Sequence, residues 1–185
     1  VKMYPPHESV NKYPHTLSGG LRQRVGIARA LTLTPDYILA DEPVSMVDAS
    51  NRAEILYLLS DIQKQYGVSF LYITHDIATA KHFSNRIAVM YAGRIVEIGI
   101  SKDIIQNPLH PYTKALINSI PNADPKNRLS NREVIPGEPP SPSNIPAGCR
   151  FHPRCPYAIP GKCDIIDPPI TKLDENHETA CHLYI

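Results

Sequence analysis

Two short apolar segments with an amphipathic helix between them constrain the fold of this chain most strongly. Residues 37–40 and residues 68–73 each predict a buried strand. Asp48 can cap the intervening helix, and Gly67 can end it. That helix carries an apolar stripe at the spacing i, i+3, i+4 and i+7, formed by Ile55, Leu58, Leu59 and Ile62. A strand, a helix and a second strand in this order predict an α/β fold with a mainly parallel sheet.

Ionisable side chains follow both predicted strands. Asp41 and Glu42 come directly after the first strand, and His75 comes two residues after the second. The carboxyl ends of parallel strands lie at one edge of a sheet, where α/β proteins bind their ligands. Carboxylates can bind a hard metal ion and polarise a water molecule. The pattern predicts a functional site at this edge; a solvated strand end and a loop histidine are the structural alternatives.

The composition divides the chain into two parts. Five prolines lie in residues 1–100 and fourteen in residues 101–185, and all four cysteines lie in the last 37 residues. We therefore predict a regular core over residues 1–100 and a small irregular Cys-rich appendage over residues 101–185. The net charge of +1 gives no bulk attraction to nucleic acid. No apolar run approaches the roughly 18 residues of a membrane span.

A serine and two glycines, Ser18, Gly19 and Gly20, immediately precede a helix that is predicted to begin at Leu21. The N-terminus of a helix exposes unpaired N–H groups and partial positive charge, which attract phosphate. Glycine lets the backbone approach an anion closely, and the serine hydroxyl adds a donor. Taken alone, the triplet is more typical of a plain helix cap with a glycine turn.

The order and spacing of four motifs resemble the ATP-binding cassette (ABC) ATPases. LSGG at 17–20 matches the signature of that family, YILADE at 37–42 its Walker B strand, SMVD at 45–48 its D-loop and ITHD at 73–76 its switch segment. The resemblance covers residues 13 to about 100 and implies part of a P-loop NTPase core. Leu21, Met46 and Val47 depart from the residues common in the family, and we interpret them as variation because Asp48 is retained.

The resemblance implies a role for each residue at the strand ends. Asp41 would bind Mg²⁺ through water, and Glu42 would polarise the water that attacks the γ-phosphate of ATP. His75 would hydrogen-bond that phosphate or that water. Asp48 would be the polar residue of the D-loop.

The resemblance also implies partners. Ser18, Gly19 and Gly20 would close onto ATP held by a second ABC ATPase subunit, in a homodimer or a heterodimer. The pair would drive transmembrane permease subunits from the cytoplasmic face of the membrane, as a peripheral protein. An extracytoplasmic solute-binding protein would take part indirectly, and no nucleic acid is implied.

A phosphate-binding loop of the type GxxxxGK[ST] does not occur in the 185 residues, and no glutamine loop precedes the signature. In the ABC family both lie N-terminal of the signature, and this chain begins with Val1. We therefore predict that the chain is the C-terminal part of a longer polypeptide. On its own it is expected to have little or no affinity for ATP and to be inactive.

The run NPLHPYT at 107–113 is followed by an amphipathic helix. Pro111 suits the first turn of a helix, so a proline-started helix is the structural alternative. Directly after an ABC core, however, the run resembles the C-terminal extension of oligopeptide and dipeptide importers. The resemblance to that branch implies an ATPase subunit that powers peptide import.

The four cysteines are separated by 5, 7 and 17 residues, as Cys149, Cys155, Cys163 and Cys181. They can form two disulfides, bind one metal centre or remain free. Disulfides are rare in a cytosolic protein, and this proline-rich segment has few large apolar residues, so a metal centre could supply its order. Four thiolates suit zinc or an iron–sulfur cluster, and the lack of CxxC pairs favours the bulkier cluster.

Three histidines close to these cysteines in the sequence could replace a thiolate in a mixed zinc site: His152, His177 and His182. Some members of the peptide-importer branch carry a 4Fe–4S cluster at such cysteines. The resemblance therefore implies a 4Fe–4S cluster, with Zn²⁺ as the alternative. We expect it to act as a structural staple, since nothing in the sequence indicates an electron-transfer partner.

Other functions remain open at this level. Related importers carry nickel or oligosaccharides, so the transported solute can differ. ABC ATPases that manage DNA or protein complexes share the signature and Walker B, although they usually add long coiled coils or basic surfaces, which are absent from this sequence. A third alternative is a regulatory or docking module built on the cysteines, with an inert core.

Overall fold

The computed structural model describes residues 1–3, 5–45, 47–120 and 135–185. It divides the chain into two compact units, Val1–Asp76 and Ile77–Ile185. The predicted boundary after residue 100 follows motifs and composition rather than compactness, and it stays a prediction. In the described part of the chain, no helix is both long and apolar enough to cross a membrane.

The first unit contains the predicted strand–helix–strand segment. Its elements are α1 (Pro6–Val10), a short 3₁₀ turn (Pro14–Thr16), α2 (Gly19–Leu31), β1 (Tyr37–Asp41), α3 (Ala49–Tyr66) and β2 (Ser69–Ile73). Strands β1 and β2 pair in parallel, in a register that runs from Tyr37 opposite Ser69 to Asp41 opposite Ile73. The predicted parallel arrangement is thus confirmed for this pair.

Helix α3 forms for the reasons that the sequence predicts. The Asp48 carboxylate accepts from the Asn51 N–H at 3.0 Å, and Gly67 ends the helix in the left-handed conformation at φ 69°. The predicted apolar stripe of α3 is buried, as is Leu56 beside it. Burial of these residues holds α3 in place, and α3 in turn fixes the position of Asp48.

The second unit is built on a different sheet. Its elements are α4 (Ile77–Phe83), β3 (Arg86–Tyr91), β4 (Arg94–Ile100), α5 (Ser101–Gln106), α6 (Pro111–Asn118), β5 (Thr171–Asp174) and β6 (His177–Thr179). The four strands form an antiparallel sheet in the order β3-β4-β6-β5. The parallel pairing predicted for the core is therefore limited to β1 and β2 of the first unit, and this unit is antiparallel. Ala92 and Gly93, both at positive φ, make a two-residue turn, which can join only antiparallel neighbours.

The cysteine-bearing segment is tied to this sheet rather than set apart from it. Strand β6 pairs with β4, and Phe151 is buried in the core formed by β3, β4 and α5. Gly99 permits the pairing, because a Cβ there would lie 2.9 Å from the carbonyl oxygen of Asn176. The prediction of a separate irregular appendage is accordingly not confirmed. Strands β5 and β6 escaped the sequence analysis because they are short and lack alternating apolar residues.

Candidate functional site

Two residues singled out from the sequence meet at the carboxyl end of the parallel pair. Glu42 follows β1, and its backbone N–H donates to the carbonyl oxygen of Ile73, the last residue of β2, at 3.0 Å. Two residues further on, His75 places Nδ1 2.7 Å from Oε1 of Glu42. The His75 side chain is 80% exposed, and the Glu42 side chain is 34% exposed. The parallel register therefore brings an accessible imidazole onto a carboxylate at the edge of the sheet.

The backbone of Glu42 has an unusual conformation that is held from both sides. Its φ of 45° lies in the left-handed region, which residues other than glycine rarely adopt. The carbonyl oxygen of Glu42 accepts from the N–H of Ser45 at 3.1 Å and from its hydroxyl at 2.9 Å. Strain of this kind persists where the surroundings fix the backbone, and it is concentrated at functional sites.

Asp41 is the last residue of β1 and is exposed to solvent. It lies opposite Ile73 in the register, so it belongs to the same strand end as Glu42 and His75. Among the described residues, however, no hydrogen bond or ion pair joins the Asp41 carboxylate to Glu42 or His75, and no three such side chains are arranged to hold a metal ion. The arrangement that the structure does bring together is the exposed Glu42–His75 pair, which can orient a water molecule.

The Ser18–Gly20 turn begins α2. Ser18 is the N-cap, and its hydroxyl oxygen accepts from the N–H of Leu21 at 3.3 Å, so the structural interpretation as a helix cap is correct. Helix capping explains the serine at position 18 but does not explain why position 20 is a glycine. Its φ is not positive, and a Cβ there would approach no atom closer than 3.8 Å, the distance to Cβ of Asn51. Packing among the described residues therefore does not require glycine at this position.

Asn51 lies beside this turn and is a residue that the sequence analysis missed. Its amide donates to both carboxylate oxygens of Asp48, at 3.0 and 2.8 Å. Asn51 thus lies next to the Ser18–Gly20 turn and is hydrogen-bonded to Asp48. Between Ser18–Gly20 and the Glu42–His75 pair, the structure gives no hydrogen bond or ion pair among the residues it describes. Met46 lies outside the described residues.

The four cysteines are unbridged and lie near one another in the second unit. Cys163 and Cys181 are buried, and Cys149 and Cys155 are half-buried. The N–H of Cys149 donates to the carbonyl oxygen of Cys163 at 2.8 Å. Burial raises the pKa of Cys155 to about 11 and also raises the pKa values of Cys149 and Cys181; in each case the charge of neighbouring cysteines acts in the same direction. The three raised pKa values favour the protonated thiols, so a thiolate centre would form only if a metal ion displaced these protons.

The geometry, however, is not that of a metal site. Within residues 1–3, 5–45, 47–120 and 135–185, no group of three or more His, Cys, Asp or Glu side chains is arranged to hold a metal ion. The three histidines considered as zinc ligands make other contacts. His152 contacts the carbonyl oxygen of Cys149 at 2.9 Å, His182 that of Ile166 at 2.8 Å, and His177 contacts Glu97. A mixed Cys/His zinc site is thus not supported.

Residues 110–113, the HPYT segment, are held to the sheet by a buried carboxylate that the sequence analysis missed. Glu97 on β4 accepts from the backbone N–H groups of Leu109 and His110, at 2.8 and 2.9 Å, and from Nε2 of His177 at 2.7 Å. His110 caps α6 through Nδ1, which accepts from the N–H of Tyr112 at 3.1 Å. Burial, with a smaller contribution from Lys114, lowers the pKa of His110 to about 4. The segment therefore has a structural role in this unit.

Two family models match the chain. Residues 96–163 match the model described as "Oligopeptide/dipeptide transporter, C-terminal region", and residues 2–45 match the model described as "ABC transporter". The second match includes the signature turn and both carboxylates, and the first includes Glu97, the HPYT segment and three of the four cysteines.

Curated relatives match nearly the whole chain. YkfD of Bacillus subtilis, named for oligopeptide transport, is 49% identical over 185 residues, which are 100% of this chain and 55% of that protein. A Brucella ovis protein named for peptide import is 47% identical over 176 residues, which are 95% of this chain and 55% of that protein. The chain thus spans about half the length of the curated relatives that it matches.

A solved structure described as an inward-facing conformation of a metal-chelate type ABC transporter is also similar. It is 26% identical with a TM-score of 0.51, and the match covers 60% of this chain and 42% of that one. The match agrees with part of an ABC-type α/β core.

Proposed function

Because the chain belongs to the ABC transporter ATPases, in the oligopeptide and dipeptide branch, we propose that it carries hydrolytic residues of an ATPase subunit that powers peptide import. Since the relatives are about twice as long, we further propose that it works within a longer polypeptide, called the full-length subunit below. The observation that carries this proposal is the contact between Glu42 and His75 at the end of the parallel strands.

Each residue at this edge would have a separate task during hydrolysis. Magnesium bound with ATP neutralises charge on the phosphates. Asp41 would hold that ion through a water molecule. Glu42 would orient the attacking water and accept its proton, and its fixed backbone would keep the carboxylate in place. His75, being largely exposed, would turn from Glu42 to hydrogen-bond the γ-phosphate or the attacking water.

The signature turn would act on the nucleotide of a second ATPase subunit. Ser18 is exposed at the start of a helix of 13 residues, and a glycine without a packing role follows it at position 20. These features favour the approach of an external anion to this N-terminus. The pair of subunits would drive transmembrane permease subunits from the cytoplasmic face of the membrane, and a solute-binding protein would contribute indirectly.

Steady-state ATP hydrolysis by the full-length subunit tests the role of Glu42. Replacing Glu42 by Gln keeps the shape of the side chain but removes the proton acceptor. The rate should fall by about 10²–10⁴-fold, the usual contribution of a general base. Glu175→Gln, at an exposed turn, is the matched control and should hydrolyse ATP at the parent rate. Parental activity of Glu42→Gln would exclude the role and favour an inert core.

The solute is tested separately by uptake. In membranes that contain the assembled transporter, labelled dipeptide or oligopeptide should accumulate with ATP and should fail to accumulate with the Glu42→Gln subunit. Uptake of nickel instead of peptide would assign another solute. ATP hydrolysis without any solute uptake would favour a non-transport ABC ATPase.

We also propose that Cys149, Cys155, Cys163 and Cys181 bind a 4Fe–4S cluster as a structural staple, with Zn²⁺ as the alternative. The four thiols are unbridged, and a backbone hydrogen bond of 2.8 Å joins Cys149 to Cys163, which supports a shared centre even though the four are not arranged as a metal site in this structure. Protein prepared without oxygen should show the charge-transfer absorbance of a cluster and contain iron and sulfide in equal amounts. Colourless protein that contains zinc would select the alternative, and metal-free protein would exclude both.

A further inference from the structure

A tyrosine three residues before His75 lies on the strand that ends at the proposed site. Tyr72 is on β2 opposite Ala40 of β1, in the last part of the parallel pair. Its strand neighbours Leu71 and Ile73 are exposed, so alternation along the strand directs Tyr72 to the other, more buried face. Its hydroxyl is thus on the inner side of the strand end that carries the Glu42–His75 contact.

The Tyr72 hydroxyl and a second polar group are buried without a partner. In the part of the chain that the structure describes, neither Oη of Tyr72 nor Nε of Arg52 has a hydrogen bond. Arg52 lies in the first turn of α3, where its backbone N–H donates to the carbonyl oxygen of Asp48 at 3.0 Å. Buried donors without acceptors are rare in proteins, so both groups call for an acceptor.

Two carboxylates, those of Asp76 and Glu42, lie close enough to Tyr72 for their charges to act on its hydroxyl. Burial raises the pKa of Tyr72 to about 12, and the charges of Asp76 and Glu42 add to the rise while that of Arg52 opposes it. The phenol therefore keeps its proton and can donate. Glu42 uses Oε1 for His75, and the described residues provide no hydrogen-bond donor for its Oε2. When His75 turns to a nucleotide, the carboxylate would lose the hydrogen bond that it has here.

We propose that Tyr72 and Arg52 are positioning residues that hold the carboxylate of Glu42 from its buried side while His75 contacts the nucleotide. The inference rests on the proposed function and extends it. Tyr72 lies on β2, just before the switch segment, and Arg52 lies on α3, just after the D-loop. Through these two side chains, both motifs would be connected to Glu42, which orients the attacking water. Neither side chain touches the nucleotide.

The test uses the full-length subunit with Tyr72→Phe, which removes the hydroxyl and little else. We expect kcat for ATP hydrolysis to fall about 5–10-fold with the KM for ATP unchanged, because the interaction acts after ATP has bound. The melting temperature should stay the same or rise, since an unpaired buried hydroxyl is removed. Tyr66→Phe, at a side chain that is 63% exposed near the end of α3, is the matched control and should leave kcat unchanged.

Arg52→Met provides a second, independent measurement and should also lower kcat without raising KM. Parental kcat in both variants would overturn the inference, and so would a loss of kcat that comes with a higher KM and a lower melting temperature. The Glu42→Gln experiment keeps the two proposals apart. If Glu42→Gln abolishes hydrolysis and both positioning variants are silent, the further inference is wrong and the proposed function stands.

Discussion

Two carboxylate–histidine pairs, one in each compact unit, have the same separation and opposite surroundings. His75 Nδ1 lies 2.7 Å from Glu42 Oε1, and His177 Nε2 lies 2.7 Å from Glu97 Oε1. In the first pair, the His75 side chain is 80% exposed and the Glu42 side chain 34%. In the second pair, the His177 side chain is 4% exposed and the Glu97 side chain 0%. An exposed pair can exchange its partner for water or a ligand at small cost, but a buried pair cannot.

The remaining contacts of the two carboxylates strengthen this contrast. Glu97 also accepts from the backbone N–H groups of Leu109 and His110, so its hydrogen-bonding capacity is used within the fold. Among the described residues, the Glu42 carboxylate is hydrogen-bonded to the His75 side chain alone. Both pairs consist of a glutamate and a histidine. They differ in burial and in the number of hydrogen-bond donors to the carboxylate, and these differences distinguish the proposed reactive pair from the structural one.

The largest effect should come from the exposed pair and should appear in activity. Glu42→Gln is expected to reduce ATP hydrolysis by about 10²–10⁴-fold, as the loss of a general base does. Its free energy of unfolding in urea should change by less than about 0.5 kcal/mol, because the side chain is partly exposed and fixes no other segment. A large loss of stability would contradict the proposed contrast between the pairs.

Substitution in the buried pair should have a large effect on stability. Glu97→Gln leaves His177 buried without its carboxylate and weakens the hold on Leu109 and His110, so we expect a loss of about 3–5 kcal/mol in the free energy of unfolding. Urea unfolding measures it, with Glu175→Gln as the exposed control. Stability equal to that of the control would mean that Glu97 is dispensable for fastening the HPYT segment.

The pH dependence of the free energy of unfolding tests the burial of His110, which is held against Glu97. His110 has a pKa lowered to about 4 from its ordinary 6.5, so as the pH falls the unfolded chain binds a proton before the folded chain does. Stability is complete above pH 6.5 and is lost as the pH falls towards 4, by about 3 kcal/mol in total. In His110→Asn, which keeps an oxygen acceptor at the cap, this part of the pH dependence should disappear. A matched substitution of the exposed His7 should leave it intact.

The sequence analysis singled out both members of the exposed pair but missed Glu97 of the buried pair, for a physical reason. Asp41, Glu42 and His75 are recognisable because they follow two apolar strands of one local unit, and the register of those strands is enough to bring them together. Glu97 and His177 are 80 residues apart, and they meet through a three-residue strand without an apolar pattern. Long-range pairing of short polar strands leaves little local signal in a sequence.

The positive φ of Glu42 and the orphaned groups of Tyr72 and Arg52 were also beyond sequence analysis. The first is a backbone conformation and the second is a matter of buried side-chain atoms without partners, and no residue type in the sequence indicates either of them. The NPLHPYT run was recognised as a motif, but its role as a helix cap and a Glu97 contact became clear only from the hydrogen bonds. Motif recognition therefore selected candidate residues, whereas burial and hydrogen bonds distinguish the exposed pair from the buried one.

The smallest expected change tests whether an exposed feature can matter for activity without affecting stability. Gly20→Ala adds a methyl group that would approach only Asn51, at 3.8 Å, so the fold should tolerate it and gain up to about 1 kcal/mol from the better helix propensity of alanine. If Ser18–Gly20 close onto the nucleotide of a second subunit, the same methyl group should lower ATP hydrolysis about 10-fold. Gly26→Ala in the same helix has no atom within 4 Å of its added Cβ and is the matched control. Equal activities of the two variants would show that position 20 needs no glycine for function, and the in trans role of the signature turn would then lose its strongest structural support.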